Sequence, residues 1–157
     1  MSELLNTINS SSDLKGLTVE QLKQLCDEIR HYIINSVSKT GGHLASNIGA
    51  VELTVAMHYV FDFSCDKLLW DVGHQCYAHK IVTGRKEKFE KLRQAEGVGG
   101  FPNPAESDYD QFVVGHAGTS SATANSMALS KKHMNLHDSI ASVVGDTSIV
   151  NGTNFAA

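Results

Sequence analysis

The sequence lacks the features that mark a membrane-spanning, secreted or nucleic-acid-binding protein. None of its apolar runs approaches the roughly 18 residues that a bilayer span needs. The amino terminus has neither the basic start nor the long apolar stretch of a secretion signal. The net charge is -4, and the densest basic stretch, residues 85–88, is interrupted by Glu87. A clustered basic face for phosphates is therefore missing, and the sequence predicts no membrane and no nucleic-acid partner.

Cysteine is also scarce. The three cysteines lie far apart with no C-x-x-C pair, which favours reduced thiols and a cytoplasmic protein. Cys76 lies between His74 and His79, and cysteine with histidine is a common zinc ligand set. On a helix, however, these two histidines would point about 140° apart, unlike the i, i+4 pairs of helical zinc sites. The spacing therefore disfavours zinc.

The residues that are present indicate a globular domain with helices. The chain has 157 residues, of which 41% are apolar and 19% charged, and this fits one domain with a single core. Residues 1–17 show little periodicity and are interpreted as a lead-in segment. A capping box at Thr18 and Gln21 then opens a helix that runs to the glycine pair 41–42. A second helix, from about residue 46 to 59, is apolar over most of its circumference and is predicted to be buried.

Further along the chain the apolar period changes. Three short apolar segments, 67–73, 111–115 and 139–145, read as strands, and each ends in glycine and leads into a helix-like stretch. Short strands that alternate with helices predict an α/β fold, with a parallel sheet and helices on both faces. Residues 96–108 contain both prolines of the chain and are interpreted as a mobile loop.

The three predicted strands end in unusual pairs. These pairs are Gly73-His74, Gly115-His116 and Gly145-Asp146. In an open parallel sheet, the ligand crevice lies outside the carboxyl ends of the strands. We therefore expect these residues to lie at the same edge, where a ligand would bind.

The segment 115–121 consists of small and hydroxyl side chains at a predicted helix start. Such a segment lets backbone amides approach an anion, so a phosphate or diphosphate is one interpretation. A tight turn with Thr119 or Ser120 as the N-cap is equally compatible with it. Asp146 is either a helix cap or a Mg²⁺ ligand beside such a diphosphate. The chain has neither the P-loop nor the dinucleotide-binding glycine motif.

Histidine is plentiful, with eight residues. His43, His74 and His116 each follow a glycine and precede a predicted helix, so we consider them candidates for proton transfer or phosphate contact. Four other histidines lie within or beside helices and are interpreted as surface or hydrogen-bonded core residues rather than as candidates. They are His31, His58, His133 and His137.

Four segments together resemble the early part of 1-deoxy-D-xylulose-5-phosphate synthases. They are residues 37–61, residues 70–85 with the block DVGHQ-x-Y-x-HKI-x-TGR, residues 99–102 and residues 115–120. The matches occur in the family's order and cover nearly the whole chain. The resemblance implies a transketolase-like fold, namely the diphosphate-binding domain of a thiamine-diphosphate-binding protein over residues 1–157, incomplete at its carboxyl end.

The resemblance also implies a set of site residues. Asp146 matches the magnesium-binding aspartate, and His43 and His74 match catalytic histidines. The matched positions that contact thiamine diphosphate are His74, Gly115, His116, Ala117, Thr147 and Ser148. By resemblance, the whole enzyme joins pyruvate to glyceraldehyde 3-phosphate with loss of CO₂, for isoprenoid, thiamine and pyridoxal precursors. It is expected to be a cytoplasmic homodimer.

The chain departs from the family pattern at several points. Thr147 replaces a glycine and Ala117 a common serine. The family's second metal ligand is an asparagine that falls beyond Ala157, and neither Asn151 nor Asn154 lies at the matching distance. The glutamate that activates the cofactor belongs to a later domain. We therefore expect a truncated chain that is inactive without the remaining domains. The alternatives are a non-catalytic cofactor-binding or assembly module and the amino-terminal subunit of a split transketolase.

Overall fold

The computed structural model describes residues 3–155, which form two compact units. The first unit comprises the chain up to Asp62 together with His74–Gly100, and the second comprises Phe63–Gly73 together with the chain from Phe101 onward. Within the described residues, no helix has both the length and the apolar content needed to cross a membrane. The prediction of a single domain over the whole chain is not tested by this division.

The first unit is helical. Its α-helices are α1 (Glu3–Thr7), α2 (Val19–Thr40), α3 (Ala45–Ile48), α4 (Val51–Val60), α5 (Tyr77–Lys80) and α6 (Lys86–Phe89). A 3-10 helix spans Ser11–Gly16, and one wider turn, Ile81–Arg85, joins α5 to α6. The predicted lead-in segment thus contains α1 and the 3-10 helix, and it buries Leu5, Ile8 and Leu14. Its first two residues lie outside the described part of the chain.

The longest helix, α2, begins and ends where the sequence predicts. The Thr18 hydroxyl accepts the Gln21 amide at 3.2 Å, and the Gln21 side chain accepts the Thr18 amide at 2.9 Å. These reciprocal bonds form the predicted capping box. Gly41 ends the helix with φ 76° and ψ 167°, a conformation open almost only to glycine. Helix α2 packs against α1 and α4 through the buried residues Leu25, Cys26, Ile29 and Ile33.

The predicted helix from about residue 46 to 59 was wrong in two respects. It is two helices, α3 and α4, because the chain leaves helical geometry at Ala50 (φ -104°, ψ 2°). It is also only partly buried. Helix α4 buries Val51, Thr54, Val55 and His58, whose spacing of three and four residues defines one face. Leu53 lies off that face and is 49% exposed.

The second unit contains the sheet. Its elements are β1 (Lys67–Trp70), α7 (Ser120–His133), β2 (Ile140–Val143), α8 (Asp146–Ile149) and a 3-10 turn (Gly152–Asn154). Strands β1 and β2 are parallel, with Lys67 opposite Ile140 and Trp70 opposite Val143. Helix α7 lies within the long connection between them, residues 71–139, and packs against both strands. The first and third predicted strands are therefore confirmed.

The second predicted strand, residues 111–115, was wrong. In the described chain the sheet has two strands, and residues 111–115 are irregular. An apolar run becomes a strand only if its backbone groups find a ladder partner, and Val113 is instead 72% exposed. The fold is mixed α/β with a small parallel sheet, and the expected helices on both faces are not confirmed. The predicted loop 96–108 contains no helix or strand, while its mobility stays a prediction.

Candidate functional site

The end of β1 meets the start of α7 through a buried carboxylate. Asp71 directly follows β1 and is 1% exposed. Its two carboxylate oxygens accept the Gly118 amide at 2.9 and 3.0 Å, and one of them also accepts the Ser120 amide at 3.2 Å. The amides at a helix start have no partner within the helix. Asp71, at the end of β1, therefore supplies hydrogen-bond acceptors for the amides at the start of α7.

The hydrogen bonds to Asp71 keep it ionised. Burial alone would raise its pKa, but the Gly118 and Ser120 amides and the Ser148 hydroxyl oppose burial, and the pKa lies below the ordinary 3.8. A negative charge also interacts favourably with the amino-terminal end of a helix dipole. At neutral pH, this edge of the sheet thus carries a fixed buried charge.

The end of β2 lies beside the same loop. The Ser148 hydroxyl contacts the Asp71 carboxylate. The Thr153 hydroxyl donates to the Gly118 carbonyl at 2.6 Å, and the Asn151 side chain donates to the Ala117 carbonyl at 3.2 Å. The structure therefore brings the segment after β2 against the loop before α7, as expected for strand ends at one edge of a parallel sheet.

Gly118 is required at this junction. Its φ is +82°, and a Cβ there would lie 2.7 Å from the Asn151 Cβ and 2.9 Å from the Thr153 hydroxyl oxygen. A larger residue would therefore be strained and would also push the two segments apart. Of the two glycines in this segment, Gly118 is needed for the close approach, whereas Gly115 has open space around it.

The predicted anion-binding segment is partly occupied by the protein itself. Two of its amides, Gly118 and Ser120, already bond to Asp71. Gly115, His116 and Ala117 are exposed. A cleft of about 330 Å³ adjoins them and is lined by residues 112–116, Thr119 and Thr123. Any anion at this loop would therefore meet the stretch before Gly118 rather than the helix start itself.

Asp146, the predicted metal ligand, begins α8 and is exposed. One of its carboxylate oxygens accepts the Thr147 amide at 2.8 Å, which leaves the other oxygen for a cation. Thr147 is exposed and Ser148 is buried. No group of three or more His, Cys, Asp or Glu side chains converges within residues 3–155. Magnesium usually takes only one or two protein carboxylates and completes its shell with phosphate and water, so a magnesium site does not require three converging side chains.

The other two predicted site residues, His43 and His74, lie together in the first unit. Their rings meet edge to face, with centroids 5.3 Å apart at 62°. His43 is exposed and His74 is half-buried. Burial, and then the nearby His43, lower the pKa of His74 below 6.5. The His74 Nδ1 atom is buried and has no hydrogen-bond partner among the described residues, so a bound ligand could supply one.

The remaining histidine predictions are confirmed. His31, His133 and His137 are exposed, and His58 is a hydrogen-bonded core residue. The His58 Nε2 lies 2.9 Å from the His79 Nδ1, and both rings are buried.

Sequence reasoning missed two buried polar residues, Asp71 and Asn47. Asp71 follows an apolar strand just as Asp146 does, and this shared position was the signal that could have identified it. Asn47 is a polar residue inside an apolar helical stretch and is fully buried. A buried amide must be hydrogen-bonded, so its position also carried information.

Comparison with known proteins identifies the family of this mixed α/β chain. The family model described as 1-deoxy-D-xylulose-5-phosphate synthase matches residues 5–157. The protein of that name from Dechloromonas aromatica is 53% identical over 156 residues, 99% of this chain and 25% of its own length. The one from Syntrophomonas wolfei is 50% identical over 157 residues, the whole of this chain and 25% of its own length.

The chain belongs to the 1-deoxy-D-xylulose-5-phosphate synthase family and corresponds to its amino-terminal portion. This is an enzyme family of the transferase type. The chain spans about a quarter of the length of the curated relatives it matches. The resemblance stated from the sequence motifs is therefore confirmed.

Proposed function

We propose that this chain supplies the diphosphate- and magnesium-binding part of a thiamine-diphosphate-dependent synthase. The whole enzyme would condense pyruvate with glyceraldehyde 3-phosphate and release CO₂. The observation that carries the proposal is the match over residues 5–157 to one named enzyme family. The convergence of the loop before α7 and the start of α8 on Asp71 supports it.

In this proposal the second unit binds the charged end of the cofactor. Asp146 would hold Mg²⁺ through its carboxylate, and the exposed backbone of Gly115, His116 and Ala117 would face the diphosphate. Thr147 and Ser148 follow the metal ligand. Because the Ser148 hydroxyl contacts Asp71, Ser148 would fix the start of α8 rather than donate a hydrogen bond to phosphate.

His43 and His74, which lie together in the first unit, are proposed by themselves as groups for proton transfer or phosphate contact. When bound, thiamine diphosphate supplies the electron sink for the loss of CO₂. His74 is largely neutral at pH 7 because its pKa lies below 6.5, so a ring nitrogen can accept a proton or a hydrogen bond. His43 is exposed and can reach a substrate or its phosphate. The other groups of the reaction would lie in the part of the relatives that this chain does not cover.

Calorimetry tests the binding role. We expect saturable heat when the 157-residue chain is titrated with thiamine diphosphate in the presence of Mg²⁺, and none when Mg²⁺ is omitted. Asp146→Asn should weaken binding by about tenfold or more, since changes even around a metal ligand cost that much. Asp108→Asn makes the same change at an exposed loop position and should bind as the unaltered chain does.

Two results would overturn the proposal. One is the absence of both binding heat and a thermal shift with cofactor and Mg²⁺. The other is an Asp146→Asn variant that binds as tightly as Asp108→Asn. Binding that needs Asp146 but no Mg²⁺ would also count against a metal role for this carboxylate.

A further inference from the structure

Asn47 connects the two turns that carry His43 and His74. Its side-chain nitrogen donates to the His43 carbonyl at 2.7 Å and to the His74 carbonyl at 2.8 Å. Its side-chain oxygen accepts the Tyr77 amide at 2.8 Å. The residue is fully buried, so water does not compete for these bonds. One side chain thus reaches from its own helix to a turn that lies 27 residues further along the sequence.

Asparagine has the chemistry that this position requires. A carboxamide offers two N–H donors and an acceptor oxygen, and here both donors and the oxygen are used. Aspartate has the same shape but no donor, so one of its carboxylate oxygens would face the carbonyl oxygens of both His43 and His74. Leucine has a similar volume and forms none of the three bonds. Glutamine has the right groups but one methylene too many for a filled site.

A second contact holds the His43 turn from the other side. The Tyr77 hydroxyl accepts the His43 amide at 3.2 Å. A Cβ at Gly42 would lie 2.7 Å from that hydroxyl oxygen, so the turn packs tightly on the Tyr77 ring. Tyr77 itself is fixed through its own amide by Asn47. Asn47 therefore holds the His43 turn directly, through the His43 carbonyl, and also indirectly, through Tyr77.

We infer that Asn47 is a positioning residue, which sets the edge-to-face arrangement of the His43 and His74 rings by holding both of their backbone carbonyls. The inference rests on the proposed function only for its consequence, namely that these rings act on substrate or cofactor. The arrangement itself is a property of the cofactor-free chain. It can therefore be tested even if the binding proposal fails.

The first measurement uses the unaltered chain. If Asn47 donates to both carbonyls, its two side-chain N–H protons exchange with solvent at least about a hundredfold more slowly than those of Asn35, which is exposed on α2. Exchange at the Asn35 rate would overturn the inference without any variant. Proton NMR should also show a cross-relaxation peak between the His43 and His74 rings.

The second measurement uses variants. In Asn47→Leu we expect the peak between the two rings to disappear and the His74 pKa to rise towards 6.5 as the ring becomes exposed. Asn47→Asp should also lose the peak, and Tyr77→Phe should weaken it because only the His43 side is released. Asn35→Leu is the matched control and should change neither quantity. A folded Asn47→Leu chain that keeps both the peak and the low His74 pKa would overturn the inference.

Discussion

At the scale of the residue, the main finding in the second unit is that an acidic side chain occupies part of a predicted anion site. Asp71 takes the Gly118 and Ser120 amides that the sequence offers to a phosphate. Hydrogen bonds to a charged acceptor are about twice as strong as neutral ones. Asp71 therefore fixes the loop by itself and takes two of the amides that the sequence pattern would assign to a phosphate.

Replacement of Asp71 tests this structural role. We expect Asp71→Asn to lower the free energy of unfolding by about 1–3 kcal/mol, because the charge-assisted bonds weaken and a side-chain N–H donor now faces the Gly118 N–H donor. Asp13 is a matched control, since it also accepts two backbone amides, of Asn9 and Ser10, but is exposed. Asp13→Asn should cost less than about 1 kcal/mol, since water can replace its bonds. Urea unfolding of both variants measures the difference, and equal losses would contradict the role given to Asp71.

The sequence could not show this competition for the loop amides. The small and hydroxyl residues of segment 115–121 indicated an anion site, and residues 115–117 are exposed, but anion binding there stays a prediction. Which acceptor meets the Gly118 amide depends on which strand end lies beside the loop. That neighbour is set by the pairing of β1 with β2, which are separated by about 70 residues, and no local pattern records it.

At the scale of the element, the turn between α2 and α3 depends on two glycines for different reasons. Gly41 needs its positive φ of 76° but has open space around it. Gly42 combines a φ of 147° with the close approach to Tyr77. Gly16, at the end of the first 3-10 helix, has neither constraint. Substitutions at these three glycines can therefore distinguish the cost of backbone strain from the cost of a steric clash.

Alanine at each glycine should therefore give a graded series. We expect Gly41→Ala to cost about 1–3 kcal/mol through backbone strain alone. Gly42→Ala should cost at least as much and should also weaken the His43–His74 ring contact, because its Cβ displaces Tyr77. Gly16→Ala should be neutral or stabilising by up to about 1 kcal/mol through the unfolded chain. Thermal unfolding with NMR of the two rings distinguishes the three. A Gly42→Ala chain with an unchanged ring contact would contradict the packing described here.

Elements that are defined by local signals were predicted well, and those that need a distant partner were not. The capping box and the glycine stop are local, and α2 has the expected bounds. The segment 111–115 has the same apolar character as β1, but a strand needs a neighbour for its backbone groups. The break between α3 and α4 follows Gly49, which caps α3. Glycine is a poor helix former, so this break did have a local signal that the sequence interpretation did not use.

At the scale of the whole molecule, the predicted site residues fall in both compact units. His43 and His74 belong to the first unit, whereas Gly115–Ala117 and Asp146–Ser148 belong to the second. The family was identified from motifs in both, and the match over residues 5–157 confirms it. The roles of the individual residues stay predictions, because they depend on a cofactor and on the part of the relatives that lies beyond this chain.

Stability of the whole molecule should depend on pH through the buried pair His58–His79. Burial, and then the neighbouring His79, lower the pKa of His58 to about 2 from the ordinary 6.5. Below pH 6.5 the unfolded chain therefore binds a proton that the folded chain does not, and stability falls as the pH falls. For one such group the loss is about 1.4 kcal/mol per pH unit. The pKa of Asp71 lies below 3.8, so its stabilising contribution is lost only at lower pH.

Between about pH 6.5 and 4.5, the change in the free energy of unfolding should therefore come mainly from histidines rather than from Asp71. His58→Gln keeps a side chain that can hydrogen-bond to His79 but cannot be protonated there, so its free energy of unfolding should fall less steeply than that of the unaltered chain. The difference in slope should approach about 1.4 kcal/mol per pH unit. His74 contributes to the remaining slope in both proteins, because its pKa is also lowered. His137→Gln changes an exposed histidine and should leave the slope unaltered. Urea unfolding at several pH values measures these slopes, and parallel curves for the His58→Gln and unaltered chains would show that the buried pair does not control acid stability.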